Sequence, residues 1–338
     1  MTDSVDERPL IQARDLTKIF GSRGLLGGGA VLHAVNGVNL DIRRGEAVGL
    51  VGESGSGKST VGRLMLGLLS RSAGTVHFDG REFGGGGRPI EKSLRRRMQL
   101  VFQDPYSSLD PRRRIGVQIE DAMRIHDLMP PDQRKLRTAE LLQSVGLPTA
   151  YASRYPHEFS GGQRQRIAIA RALASSPEFL VADEPVSALD MSVQAQVMAL
   201  LSELRRRFGL AMLFISHDLP VVRELCDRVA VMYLGRIMEE GPVDEIFERP
   251  HHPYTQALLS AAPSLRPERR KARILLEGDP PSPLNPPSGC VFRTRCRFAT
   301  SECAKGVPPL RSIGPSGHRS ACIRPIAPAA DDGILREI

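Results

Sequence analysis

A glycine-rich segment, GESGSGKST at 52–60, constrains the fold of this chain more than any other feature. It fits the pattern G-x-x-x-x-G-K-[ST], follows the apolar run AVGLV and precedes a run with helical spacing. This context predicts a phosphate-binding loop in which Lys58 binds the β- and γ-phosphates and the Ser59 hydroxyl ligates Mg²⁺. The nucleotide contacts expected from the loop are Gly52, Glu53, Ser54, Gly55, Ser56, Gly57, Lys58, Ser59 and Thr60.

Two adjacent carboxylates follow another apolar run, FLVA. Asp183 and Glu184 are expected at the C-terminal end of a buried strand, where an open α/β sheet binds its ligands. Beside a phosphate loop, Asp183 is expected to hold the Mg²⁺ shell and Glu184 to orient and deprotonate the attacking water. The alternative is a pair of N-cap acids at a strand-to-helix turn, which the neighbouring loop makes less favourable.

Short apolar strands and helical patterns alternate through most of the chain, which is typical of a mostly parallel sheet covered by helices. From about 104 to 174 the pattern is helical throughout, which indicates a helical insertion. After Pro250 the composition shifts to proline, arginine and cysteine, and the stretch DPPSPLNPPSGC is not expected to form regular structure. The sequence therefore predicts one domain at 1–250 and a separate segment at 251–338.

Composition narrows the class of protein further. No run of eighteen apolar residues occurs and the N-terminus is polar and acidic, so neither a secreted nor a membrane-spanning chain is expected. The net charge of +8 lies in short arginine clusters, which indicates solvated helix faces or a partner surface, and no nucleic acid is expected as a partner. Five cysteines without an export signal argue against a disulfide framework.

The tetrad SGGQ at 160–163, within EFSGGQRQR, resembles the signature of the ATP-binding cassette (ABC) family, with Phe159 where leucine is commoner. A serine and two glycines at a helix start form an anion-binding surface. The resemblance implies that this surface caps the γ-phosphate of ATP held by a partner subunit, so that hydrolysis requires a dimer. The residues it implies are Ser160, Gly161, Gly162 and Gln163.

Further matches to this family follow in order. Gln103 in VFQDP resembles the Q-loop glutamine that joins Mg²⁺ and senses the permease, and Asp190 ends SALD, which resembles the D-loop across the dimer. His217 in FISHD resembles the switch histidine at the γ-phosphate, so the implied catalytic set is Glu184, His217 and Gln103. Phe20 lies where the family stacks an aromatic ring on adenine, the alternative being a buried core phenylalanine.

The fold that the resemblance implies is an α/β P-loop NTPase (RecA-like) core. To this core the family adds an antiparallel β subdomain and a helical signature subdomain. A C-terminal cysteine-containing extension completes the expected architecture.

Within the family, the chain resembles the ATPases of oligopeptide and dipeptide importers through HHPYTQALLSA and EGDPPSPLNPPSGCVFRTRC. This implies an ATPase bound peripherally to the cytoplasmic face of the inner membrane. Its implied partners are a second ATPase subunit, two transmembrane permease subunits and an extracytoplasmic solute-binding protein. Nickel or another small solute remains an alternative cargo, because such importers share the same tail.

Four cysteines crowd into the tail without the paired C-x-x-C steps of structural zinc sites: Cys290, Cys296, Cys303 and Cys322. Four thiolates in a proline-rich segment suit an iron–sulfur cluster, and the resemblance implies a four-iron cluster, [4Fe-4S]. Zinc and plain reduced thiols are the alternatives. The fifth cysteine, Cys226 in VVRELCDRV, is expected to be a buried small residue.

Two other classes of ABC protein are less compatible with the sequence. DNA-repair and chromosome-maintenance ATPases usually separate the two motif halves by a long coiled coil, and no heptad run lies between Lys58 and Ser160. A ribosome-associated translation factor would need two tandem cassettes, whereas this chain has one.

Overall fold

The computed structural model describes residues 8–21, 31–85, 89–104, 108–261, 274–276 and 278–324. The strands are β1 (Pro9–Phe20), β2 (Leu32–Arg43), β3 (Ala47–Val51), β4 (Ala73–Phe78), β5 (Arg81–Glu82), β6 (Met98–Val101), β7 (Phe179–Asp183), β8 (Ala211–Ser216), β9 (Arg228–Tyr233), β10 (Arg236–Pro242), β11 (Arg311–Ser312) and β12 (Arg319–Ser320). The α-helices are α1 (Lys58–Met65), α2 (Lys92–Arg97), α3 (Ile115–Ile125), α4 (Pro131–Ser144), α5 (Gly161–Leu173), α6 (Met191–Phe208), α7 (Leu219–Leu225), α8 (Val243–Glu248) and α9 (Pro253–Ala261).

The larger sheet has the order β11-β12-β10-β9-β3-β8-β7-β6, and its last five strands are parallel. Every residue of β3, β7 and β8 is buried, because both faces of the sheet are covered. Alternate residues enter two different cores: Met212 and Phe214 of β8 pack into one, and Leu213 and Ile215 into the other. The C-terminal ends of the parallel strands consequently share one edge of the sheet.

The smaller sheet is antiparallel and has the order β2-β1-β4-β5. Along much of strands β1 and β2, buried residues are separated by more exposed ones, as expected for a sheet with one face on the core. Leu16 and Leu40 pack in the same core as Val61 and Leu64 of α1. The small sheet therefore holds the helix that begins at Lys58.

Three helices, α3, α4 and α5, occupy the range where the sequence predicts a helical insertion. Ile115, Ile119 and Met123 lie four residues apart on α3 and are fully buried. They join a core that also contains Leu141 of α4 and Ile167 of α5. The apolar spacing read from the sequence thus corresponds to the buried face of the helix.

The C-terminal extension contains regular structure on both sides of the stretch that the sequence predicts to be irregular. It contains a regular helix, α9, and its strand β12 pairs with β10, so the extension continues the main sheet. The two-residue strands carry no readable periodicity, which is why the sequence does not reveal them. The stretch 279–290 has neither helix nor strand, as predicted.

The boundary at 251 stays a prediction, and the ends of both predicted segments, 1–7 and 325–338, lie outside the described residues. Among the helices of the described ranges, none has the length and apolar character needed to cross a bilayer.

Ile119→Ala should lower the free energy of unfolding by about 2–5 kcal/mol, because it leaves a cavity at a fully buried site. Ile125 lies on the same helix and is 53% exposed, so Ile125→Ala should change that free energy by no more than about 0.5 kcal/mol. Urea unfolding followed by circular dichroism measures both values. Equal losses in the two variants would contradict the packing of α3 described above.

Candidate nucleotide site

The predicted phosphate loop connects β3 to α1. Gly52 and Gly57 have φ of 152° and 104°, and a Cβ at these positions would lie 2.0 Å from the Met232 carbonyl oxygen and 2.2 Å from that of Ala34. Only glycine fits at these two positions, and glycine permits the tight turn of the loop backbone. Lys58 is 5% exposed, and its Nζ donates to the carbonyl oxygens of Gly52 at 2.8 Å and Glu53 at 2.9 Å.

Lys58 is surrounded by carboxylates. Burial lowers the pKa of its ammonium, and the negative charges of Glu184, Asp183 and Glu53 act in the opposite direction. The charges of three carboxylates thus act on a single lysine at the loop. A further cation beside the loop would therefore change the electrostatic potential at the site.

Ser59 of α1 and Asp183 at the end of β7, two of the three predicted Mg²⁺ ligands, lie in contact. The Ser59 Oγ donates to Asp183 Oδ1 at 2.7 Å, and Asp183 is 5% exposed. Burial raises the pKa of Asp183, and the hydrogen bond from Ser59 opposes that rise. A hydroxyl and a carboxylate oxygen side by side are the donors that Mg²⁺ prefers.

Gln103, Glu184 and His217 meet just beyond the ends of β6, β7 and β8. Gln103 Nε2 donates to Glu184 Oε2 at 3.1 Å, and His217 Nδ1 lies 3.3 Å from the same oxygen. Glu184 has a φ of 48°, a conformation that costs of the order of 1 kcal/mol in a residue with a side chain. Its N–H donates to the Ile215 carbonyl at 3.0 Å, which holds this strained backbone on the sheet.

The signature tetrad 160–163 lies at the start of α5. Ser160 Oγ accepts from the Gln163 N–H at 3.4 Å and Gln163 Oε1 accepts from the Ser160 N–H at 3.1 Å, forming a capping box. A Cβ at Gly162 would lie 2.3 Å from Val193 Cγ1 of α6. Asp190 caps α6 by accepting from the Val193 N–H at 3.0 Å. In the described residues, the signature and SALD segments thus adjoin each other through α6.

Phe20 lies at the end of β1 and is 37% exposed, which excludes the alternative of a fully buried core residue. The Lys18 Nζ lies 4.9 Å from the centre of its ring. Its stacking on adenine stays a prediction. An accessible ring beside a cation suits contact with a nucleotide base.

Two residues of the C-terminal extension reach the phosphate loop, and the sequence analysis does not predict either contact. The Glu53 N–H donates to Tyr254 Oη at 2.9 Å, and Arg295 Nη1 donates to Glu53 Oε1 and Oε2 at 3.1 and 2.9 Å. The residues are separated by 201 and 242 positions, so no local pattern connects them. The sequence points to these two residues only indirectly, because they lie in HHPYTQALLSA and CVFRTRC, two segments that carry the resemblance to importer ATPases.

Comparisons with known proteins match both parts of the chain. Residues 35–187 match the family model described as ABC transporter, and residues 238–303 match that of the oligopeptide/dipeptide transporter C-terminal region. A Brucella ovis protein named for peptide import and ATP binding is 53% identical over 318 residues, covering 94% of this chain and 98% of that protein. The chain belongs to the oligopeptide/dipeptide family of ABC transporter ATP-binding proteins.

Other relatives of this ABC ATPase carry similar names. The dipeptide transport ATP-binding protein DppF of Escherichia coli is 46% identical, covering 94% of each chain. The oligopeptide transport ATP-binding protein AppF of Bacillus subtilis is 47% identical, covering 94% of this chain and 98% of that protein. As an ABC cassette, this chain binds and hydrolyses ATP, with Mg²⁺ as the metal of the nucleotide.

Solved structures confirm the predicted α/β P-loop NTPase class. A dimeric ATP-binding cassette in a post-hydrolysis state, bound to ADP and Pi, superposes with a TM-score of 0.61 at 30% identity, covering 69% of this chain and 98% of that chain. CbiO1 from Clostridium perfringens, part of an ABC transporter complex, has a TM-score of 0.61 at 29% identity, covering 71% and 91%. These neighbours cover about two thirds of this ABC ATPase.

The four tail cysteines of this ABC ATPase line one small cavity: Cys290, Cys296, Cys303 and Cys322. Burial raises the pKa of Cys290 to about 11, and a hydrogen bond from the Phe292 backbone opposes that rise. In the conformations of the described side chains, no group of three or more His, Cys, Asp or Glu residues is arranged to hold a metal ion. The structure therefore brings the predicted cluster ligands to one place without forming a finished metal site.

Proposed function

We propose that this chain is one of two ATPase subunits of an importer of di- or oligopeptides, bound peripherally to the cytoplasmic face of the inner membrane. The observation that carries the ATPase role is the convergence of the phosphate loop, Asp183 and the Glu184 group at one edge of the sheet. We infer the class of solute from the C-terminal region, because that region matches a family described by oligopeptide and dipeptide transport. The expected partners are a sister or identical ATPase, two permease subunits and an extracytoplasmic solute-binding protein.

Within the site, each side chain has a distinct part in phosphoryl transfer. Lys58 and the loop N–H groups bind the phosphates, while Ser59 and Asp183 hold Mg²⁺. Glu184 orients and deprotonates the attacking water, and its conformation keeps the carboxylate beside Gln103 and His217. Gln103 joins the Mg²⁺ shell, His217 contacts the γ-phosphate, and the ring of Phe20 stacks on adenine.

The signature tetrad 160–163 serves the ATP of a second subunit. Ser160 is exposed and its capping box directs the first turn of α5 outward, where N–H groups and the helix dipole favour an anion. The adjoining Asp190 places the D-loop at the same surface. Two ATP molecules would then close a head-to-tail dimer, and hydrolysis would reopen it and move the permease between its two faces.

Glu184→Gln should bind ATP yet lower the rate of hydrolysis by about 100-fold or more, because it removes the general base. Lys58→Ala should weaken ATP binding itself, since it removes the cation at the phosphates. Glu203→Gln, at an exposed position of α6, is the matched control and should leave both properties unchanged. ATP binding and phosphate release are measured on each variant with the permease present. Normal hydrolysis by Glu184→Gln would show that Glu184 is not the base.

The complete transporter should accumulate labelled peptides in an ATP-dependent manner. Copurification with the permease subunits, reconstitution into liposomes and uptake assays with di-, tri- and longer peptides test this, with the Glu184→Gln complex as the inactive control. Nickel uptake without peptide uptake would assign the other solute class. Salt-sensitive DNA binding without any permease partner would replace the importer by a DNA-maintenance ATPase.

We further propose that the four tail cysteines hold a four-iron iron–sulfur cluster. Burial raises the pKa of Cys290 and of Cys296, and hydrogen bonds from the backbone N–H groups of Phe292 and Phe298 oppose that rise, toward the thiolate forms that such a cluster requires. His252 lines the same cavity, and its Nδ1 accepts from the Tyr254 N–H at 3.1 Å, which leaves the ring proton on Nε2. That Nε2 is buried without a partner among the described residues, and a cluster sulfur would accept from it.

When bound, the cluster would cross-link the loops that carry its ligands and could exchange an electron. The thiols must move closer together on binding, because no finished metal site is present among the described side chains. The cysteines therefore supply the ligands, and the backbone of the extension supplies hydrogen bonds to their sulfurs.

Protein purified without oxygen should be brown, with a broad visible absorbance shoulder and about four irons per chain. Cys296→Ser should abolish the colour and the iron, because it removes a ligand. Cys226→Ser is the control and should keep both, since Cys226 packs against β3 in the core and does not line the cavity. Iron analysis and the absorbance spectrum measure the result. Stoichiometric zinc, or no metal at all, would overturn the cluster.

A further inference from the structure

Glu53 of the phosphate loop contacts the C-terminal extension through both its backbone and its side chain. Its backbone N–H donates to Tyr254 Oη and its carboxylate accepts two hydrogen bonds from Arg295 Nη1. The Arg295 side chain is 9% exposed and that of Glu53 is 27% exposed, so water screens this ion pair only in part. The pair is therefore an internal part of the site, unlike the exposed ion pairs of the surface.

Arg295 is held in place by aromatic residues of β9 and of the extension. Its Nη1 also contacts Tyr233 Oη at 3.4 Å. The rings of Tyr233, Tyr254 and Phe292 pack against one another with centroid separations of 4.7–5.4 Å, and all three are fully buried. Because Phe292 and Arg295 lie in the same turn of chain, this aromatic cluster fixes the guanidinium beside the loop.

The electrostatics of the loop show why a cation is needed there. Glu53 is one of three carboxylates whose charges act on Lys58, and ATP adds further negative charge to the same place. Asp183 and Glu184 have roles in binding Mg²⁺ and water, whereas the carboxylate of Glu53 faces the extension. Without Arg295, a partly buried and uncompensated charge would compete for Lys58 and repel the phosphates.

We propose that Arg295 is a positioning residue of the nucleotide site, which neutralises Glu53 and so maintains the positive potential of the phosphate loop. The extension then contributes directly to ATP affinity, in addition to any metal it holds. This inference rests on the proposed binding of ATP at the loop. The segment CVFRTRC then has a function at the nucleotide site that does not depend on its cysteines.

The test measures the dissociation constant of ATP on the full-length chain by titration calorimetry, together with the melting temperature. Arg295→Gln should weaken ATP binding by about three- to tenfold, the Coulomb effect of one uncompensated charge at this range. The deficit should shrink at high salt, because screening reduces it. Arg311→Gln, at an exposed position in the same extension, is the matched control and should bind as wild type does.

The partner of the ion pair supplies the decisive comparison. Glu53→Gln should bind ATP more tightly than Arg295→Gln does, because it removes the carboxylate charge that Arg295 neutralises while Tyr254 still holds the loop backbone. Adding Glu53→Gln to Arg295→Gln should restore affinity to within about twofold of wild type. This double variant also tests the proposal if Arg295→Gln alone does not fold.

Three results would overturn the proposal. These are an unchanged dissociation constant with a lowered melting temperature in Arg295→Gln, an equal loss of affinity in Glu53→Gln, or a double variant that binds no better than Arg295→Gln. Failure of the wild-type chain to bind ATP would instead contradict the proposed function. The two failures are therefore distinguishable.

Discussion

The parallel register of β6, β7, β8 and β3 is the constraint on which the site depends. Because these strands run in one direction, everything that follows them in sequence is brought to the same edge of the sheet. The phosphate loop follows β3, the acid pair ends β7, and the glutamine and histidine follow β6 and β8. Four segments far apart in the chain thereby contribute to one nucleotide site, without any of them having to contact another during local folding.

Charge balance is the second constraint, and it explains why the extension belongs to the site. A loop built to bind phosphates carries one lysine, yet its fold surrounds that lysine with three carboxylates. Asp183 and Glu184 can be offset by Mg²⁺ and by the chemistry of the γ-phosphate. The charge of Glu53 is instead compensated by Arg295, which the aromatic cluster of Tyr233, Tyr254 and Phe292 holds in place.

The parts of the structure that depend on local pattern were predictable from the sequence. The phosphate loop, the buried strands FLVAD and AMLFIS and the apolar spacing of α3 each reflect a period or motif within a few residues. The contact of Arg295 with Glu53 was not predictable, because it depends on packing between segments 242 positions apart. Helix α9 lies in a part of the chain for which the sequence analysis predicts no secondary structure. The roles of the site residues stay predictions.

In the proposed function, a single chain does not complete its own chemistry. The capping box satisfies the side chains of Ser160 and Gln163 locally, and α6 holds Gly162 and Asp190 against the same surface. This rigid helix start is prepared for an anion that the phosphate loop of the same chain already binds elsewhere. The signature tetrad and the phosphate loop of one chain can both bind ATP phosphates only if each faces the complementary half of another subunit. Rigidity at the signature and charge balance at the loop are then requirements of one composite site, formed when two cassettes meet around ATP.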